Sequence, residues 1–83
     1  MALHLVFHSH SLEDCLLSAD LGDDLVLIGD GVDAQDKLSI AAFILEDDAE
    51  SRGTMVASLH KLINTEGLAD LTEKHEKIVS WPA

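Results

Sequence analysis

Leu25-Val26-Leu27-Ile28 runs unbroken through the segment GDDLVLIGDGV, with acids and glycines closing it at both ends. A strand with one wet face alternates apolar and polar residues, so four consecutive apolar residues read as a strand covered on both faces. Such strands belong to parallel sheets whose two sides carry helices. The rest of the chain agrees with this. Ala2 to Phe7 (ALHLVF) is a second short apolar run, followed by the turn formers of HSHS. Ile40 to Leu45 (IAAFIL) is a third, Leu59 to Ile63 (LHKLI) a weaker fourth that also suits a helix, and Ile78 to Trp81 (IVSW) a short last strand stopped by Pro82.

Helical patterns lie between these runs. Leu12, Cys15, Leu16 and Ala19 recur at helical spacing. Ser11 is the expected N-cap there, Asp14 sits at the third position as in a weak capping box, and Gly22 is the expected stop. Val32 to Ser39 is short and polar, with room for a turn or two of helix. Ala49 to Gly53 reads as a helical turn stopped by its glycine. Thr65 to His75 predicts a full helix with Thr65 as cap and Leu68, Leu71 and His75 on one face. Strands alternating with helices give an α/β fold with a parallel sheet. There is no internal repeat or linker, so 1–83 reads as a single domain.

A chain of 83 residues makes one small domain, and a core of that size supplies roughly 3–5 kcal/mol. Self-association of the isolated chain, or a partner subunit, is therefore expected. No apolar run reaches the roughly 18 residues of a membrane span, and MALHLVFHSH lacks the basic start and long apolar stretch of a signal peptide. With one cysteine and no such signal, a cytoplasmic location is expected. Sixteen acids against five Lys and Arg give a formal charge of −11. The five cations, Lys37, Arg52, Lys61, Lys74 and Lys77, are thinly spread, which excludes direct nucleic-acid binding as the main role.

Cys15 is the only cysteine, so it has no internal disulfide partner. Its spacing with Leu12, Leu16 and Ala19 suits core packing, the usual fate of a free cysteine. A reactive thiol is the rival reading. Glu13 and Asp14 would raise its pKa and oppose that, whereas His8 or His10 would offset them if folded close. His8 and His10 flank Ser9 just after the first strand, where open α/β sheets place ligands. Two histidines fall short of the three protein ligands of a catalytic zinc, and no metal or cofactor is expected. Ser9 lies in no nucleophile elbow. Asp30-Gly31-Val32 reads first as a turn, with Asp30 available to orient a group at the sheet edge. No glycine-rich phosphate motif is present. Glu46-Asp47-Asp48 with Glu50 lacks calcium-loop spacing and reads as a solvated loop or a helix start.

Taken in order, the pieces LH-x-V-x-x-S, LEDC, GDDLVLIGDGV, FILEDDAESRG with its D-x-x-x-RG pattern, and LADLTEKHEKIVSW resemble the DsrH/TusB family of sulfur-relay subunits over nearly the whole chain. One departure is Asp33, which stands where the usual DGV-Y-A-A pattern has an aromatic residue. The resemblance implies a small three-layer α/β domain with a mostly parallel sheet, DsrE-like and related to flavodoxin. It implies DsrE/TusD-like and DsrF/TusC-like partner subunits in a hetero-oligomer. It also implies passage of persulfide sulfur toward 2-thiouridine at the tRNA wobble position, or, in another branch, sulfur oxidation. Cys15 matches the cysteine of the DsrH-like branch and is the candidate sulfur carrier. The principal carrier of such complexes lies on the DsrE/TusD subunit. A purely structural interaction module is the alternative reading.

Overall fold

The computed structural model describes residues 2–20 and 22–82. Five strands form one sheet: β1 (Ala2–Val6), β2 (Asp24–Leu27), β3 (Phe43–Leu45), β4 (Lys61–Ile63) and β5 (Lys77–Trp81). The order is β4-β3-β2-β1-β5, and every neighbouring pair is parallel. The first four strands march outward from β1, and β5 returns to the other side of it. The connections carry α1 (Leu12–Ser18), α2 (Glu46–Ser51) and α3 (Thr65–Lys74), and 3₁₀ turns at Ser9–Ser11 and Gly29–Lys37.

Alternation of side chains along the strands divides the core into two. Val6, Leu25, Leu27 and Ile44 pack with Leu12 and Cys15 of α1, Val32 and Ala34 of the long 3₁₀ turn, and Ala49 of α2. Leu3 and Val26 are one residue out of phase, face the other way, and are fully buried. The connection carrying α3 must cross the sheet to join edge strand β4 to edge strand β5, and His75, just past α3, meets Asp24, the β2 residue paired with Leu3. The arrangement is the three-layer α/β fold expected, with an all-parallel sheet.

Element ends differ from the sequence expectation for local reasons. Ser11 does not cap α1. It is already helical, and its hydroxyl donates instead to the carbonyl of Pro82 at 2.6 Å. The helix stops at Ser18, before Gly22. The third strand begins at Phe43, because Ile40 and Ala41 stay exposed ahead of it. Thr65 is not the cap of α3. Asn64 is, its side-chain oxygen accepting from Gly67 N at 2.8 Å. Gly53 does end α2: with φ +62° it allows Thr54 N to reach Ala49 O and Gly53 N to reach Glu50 O, a Schellman closure.

Two constraints hold β1 between its neighbours. At its carboxyl end, the backbone of Gly31 lies against the Val6 carbonyl so closely that a Cβ there would sit 2.2 Å from the oxygen. At its amino end, His4 is buried within the sheet and both ring nitrogens are used. Trp81 Nε1, a donor only, gives its proton to Nδ1 at 3.0 Å, so Nε2 carries the ring proton and donates to Asp23 Oδ2 at 2.9 Å. Asp23 also accepts from the backbone N–H groups of Asp20 and Ala2. The Asp20 N–H, then the His4 ring, then the Ala2 N–H hold its carboxyl well below the usual carboxylate range.

Gly31→Ala is expected to destabilise the fold by about 3 kcal/mol, the upper end of overpacking costs, because backbone and not a flexible side chain must give way. Urea unfolding checks this, and a loss under about 1 kcal/mol would mean the close approach relaxes freely. Asp23 contributes stability above its unfolded pKa, near 4, and that contribution is lost as pH falls. The gap in stability between wild type and Asp23→Asn should therefore be widest near neutrality and shrink steadily below about pH 4. A gap independent of pH would assign the role to packing.

Candidate functional site

The carboxyl ends of β1, β2 and β3 bring their following loops together on one edge of the sheet. β1 delivers His8 and His10, whose rings lie 5.4 Å apart. β2 delivers Asp30 and Asp33 within the 3₁₀ turn, and β3 delivers the acidic first turn of α2. His8 Nδ1 sits 3.3 Å from Asp30 Oδ2. Arg52, just past α2, reaches across to Asp33 with a two-pronged contact through Nε and Nη2, and to Asp30 Oδ1 at 3.3 Å. Asp48 Oδ2 accepts from Gly29 N at 2.7 Å and pins the start of the same turn.

The edge is therefore a staple between GDGV and D-x-x-x-RG. Asp30 is more than a turn residue, since it faces both His8 and Arg52. Asp33, the departure at the aromatic position, is the principal partner of Arg52, which lowers the Asp33 pKa by hydrogen bonding and raises that of the guanidinium. Asp48 leaves the solvated run of acids to make a specific bond. These ion pairs are well exposed and individually weak. Their effect is to set where the loops lie.

No group of three or more His, Cys, Asp or Glu side chains among the described residues is placed to hold a metal ion. The crevice between β1 and β5, where the strand order reverses, is bridged by the chain itself. Phe7 N donates to Trp81 O at 3.2 Å, and the Ser11 hydroxyl to Pro82 O. Ser9 makes no triad with His8, whose ring is turned to Asp30.

Cys15 is not at this edge. It lies under α1 with no exposed surface, packed in the main core. Burial, and then the charge of Asp23, push its thiol up to about 11 from an ordinary 9.0. The opposing charge expected from Glu13 and Asp14 comes instead from Asp23, and neither His8 nor His10 offsets it. At neutral pH this thiol is protonated and out of contact with solvent.

Three histidines are buried, His4, His60 and His75, and of these only His75 is marked by helical spacing in the sequence. His4 is described above. His75 Nε2 meets Asp24 Oδ2 at 2.8 Å, so adjacent aspartates at the head of β2 each take a histidine, one from β1 and one from the end of α3. His60 Nδ1 accepts from Ala42 N at 3.2 Å while Nε2 donates to Gln35 O at 3.1 Å. The Gln35 side chain in turn donates to Met55 O and accepts from Ala57 N, which orders the long segment before β4. The available signal was polar residues inside otherwise apolar runs: His4 in ALHLVF and His60 in LHKLI.

A thiol with a raised folded pKa stabilises the fold fully below its unfolded pKa and loses that contribution as pH climbs toward the folded value. Between pH 8 and pH 10.5 wild type should lose about 2 kcal/mol more than Cys15→Ala, measured by urea unfolding. Equal losses would mean that the folded state accommodates the thiolate.

The family model described as DsrH like protein matches residues 5–78. No curated protein matches the chain. No helix among the described residues is long and apolar enough to cross a membrane. The matched span holds β2, both halves of the carboxyl-edge staple, Cys15 and α3, so the family pattern and the observed geometry rest on the same residues, and the chain belongs to the DsrH-like family.

Proposed function

We propose that this chain is a non-autonomous subunit of a cytoplasmic sulfur-relay complex, assembled with DsrE/TusD-like and DsrF/TusC-like subunits, that passes persulfide sulfur toward 2-thiouridine at the tRNA wobble position. The sulfur-bearing cysteine belongs to the DsrE/TusD-like partner, and this chain shapes and holds the assembly. One observation carries the division of labour: Cys15 is wholly buried and its thiol is pushed up to about 11. Sulfur transfer requires a thiolate that attacks the outer sulfur of a donor persulfide, and a protonated thiol under a helix supplies neither the charge nor the access. Use of the assembly in sulfur oxidation is the alternative destination for the sulfur.

A second reading keeps Cys15 as an accessory carrier. It is favoured by the shortness of α1, seven residues, of which only Leu12 and Cys15 are buried. A helix that short has little stability of its own, so docking of a partner can lift it.

Intact mass after incubation with a persulfide donor separates the two. The isolated chain is expected to gain no sulfur, and the assembled complex bearing Cys15→Ser is expected to pass sulfur to an acceptor at the wild-type rate. Gain of one sulfur on this chain in the complex, abolished by Cys15→Ser with assembly intact, would make Cys15 a carrier. Failure to assemble with DsrE- and DsrF-like subunits would remove the relay reading itself.

A further inference from the structure

An exposed apolar feature follows α1. Leu16 and Leu17 are 37% and 83% exposed, and Ile40, in the loop before β3, is 48% exposed. Leu16 borders two depressions at once. One, of about 370 Å³, has Ala19, Leu25, Ile40 and Ala41 in its walls. The other, of about 420 Å³, continues past Leu12 toward His10 and Lys37. Together they form an open apolar groove along the helix, with Leu16 as the ridge between its halves. This groove exists because the third strand starts late: Ile40 and Ala41 remain outside the sheet and face α1 instead of extending β3.

The charges on the groove decide its occupant. Glu13 stands in one half, and Asp20 and Asp23 in the other; among the described residues lining either half, Lys37 is the one Lys or Arg. Asp23 keeps its charge across the physiological range because backbone N–H groups and His4 stabilise the carboxylate. A second copy would bring a like-charged rim against this one, each chain carrying −11, and like charges brought together across an interface cost several kcal/mol. An anionic membrane surface is repelled for the same reason.

We infer that the α1 groove is a docking site for a different protein chain, one that inserts an apolar helical ridge flanked by Lys or Arg. The inference builds on the subunit reading and names the surface and the chemistry of the partner. An amphipathic helix fits the form of the site, since an i, i+3, i+4, i+7 stripe occupies a groove of this kind and its flanking positions meet the acidic rim. The apolar contact supplies affinity, and the charges supply orientation, rate of encounter and exclusion of the chain's own copies.

Co-expression with the DsrE- and DsrF-like subunits of the same organism tests this, using Leu16→Ser and the pair Glu13→Lys, Asp20→Lys. Each variant is first shown to melt within a few degrees of wild type, and the charge pair, being exposed, guards against a failure of Leu16→Ser to fold. At least a tenfold loss of affinity for the partner subunits in both supports the groove. Wild-type affinity in both overturns it while leaving the relay reading intact. If wild type itself does not assemble with these subunits, the relay reading fails, and titration of the ¹⁵N-labelled chain with a synthetic leucine-striped, lysine-flanked helix decides the groove alone. Shifts confined to residues 12–20 and 38–41, weakened tenfold by the charge pair, support it. Shifts spread over other acidic surfaces, or a concentration-dependent dimer that Leu16→Ser abolishes, overturn it.

Discussion

A histidine in the middle of a buried parallel sheet is costly unless both ring nitrogens are satisfied, since each unpaired buried polar group costs about 1–3 kcal/mol. His4 meets that demand with two partners far away in the chain, Asp23 at the entry to β2 and Trp81 at the end of β5. Those contacts exist only if β1 lies between β2 and β5, and the observed order places it there. The directionality matters. Trp81 can only donate, so it fixes which nitrogen carries the proton, and that proton then requires the anionic oxygen that Asp23 supplies. Hydrophobic burial alone favours any arrangement that covers Leu3, Val6 and Leu25. The His4 chain is compatible with only one neighbour on each side.

Much of this architecture was legible, and what was missed has identifiable causes. The five strands, the alternation with helices and the parallel sheet follow from short continuous apolar runs, a signal that depends on burial on both faces. Element ends were less legible because the competing partner for a capping group lies far off in sequence. Ser11 has the right chemistry for a cap, but its hydroxyl is taken by the carbonyl of Pro82. Thr65 was one residue late because Asn64 reaches Gly67 N from an extended backbone. At the carboxyl edge, Asp30 was visible as a turn residue and Arg52 as part of a motif, but their meeting across loops after different strands was not. Local pattern carries no information about which loops the sheet order brings together. Cys15 shows the opposite case: helical spacing with Leu12, Leu16 and Ala19 placed it on an apolar face, and Leu12 and Cys15 are buried there, whereas Leu16 at the edge of that face is exposed.

The charges of the chain divide by what they touch. Asp23 and Asp24 hold histidines at the amino end of the sheet, and Asp30, Asp33 and Asp48 hold loops at the carboxyl end. The single arginine is consumed internally by two of these acids. The remaining positive charge is four lysines spread over the surface, against sixteen acids, so the surface carries a large excess of negative charge. Such a surface discourages self-pairing and anionic ligands alike and selects basic partners. The same imbalance that argues against nucleic-acid binding restricts the kind of protein that docks.

Whether a buried thiol takes part in sulfur chemistry is a question of how much energy a partner supplies. Exposing Cys15 means lifting α1, which returns Leu12 and Cys15 to water and removes their packing against Val6 and Leu25. Burial of a leucine is worth about 1.5–3 kcal/mol, and a cysteine adds less, so the opening costs on the order of 3–4 kcal/mol. A partner produces that opening only through a matching difference in affinity between the lifted and seated helix. Contacts that span α1 and Ile40, as the groove invites, grip the seated form and would hold the helix down. Contacts to the helix alone would favour its release. The side of α1 that a partner engages therefore decides between a packing cysteine and a working one, and a partner seated in the groove proposed above, between α1 and the loop before β3, favours the former.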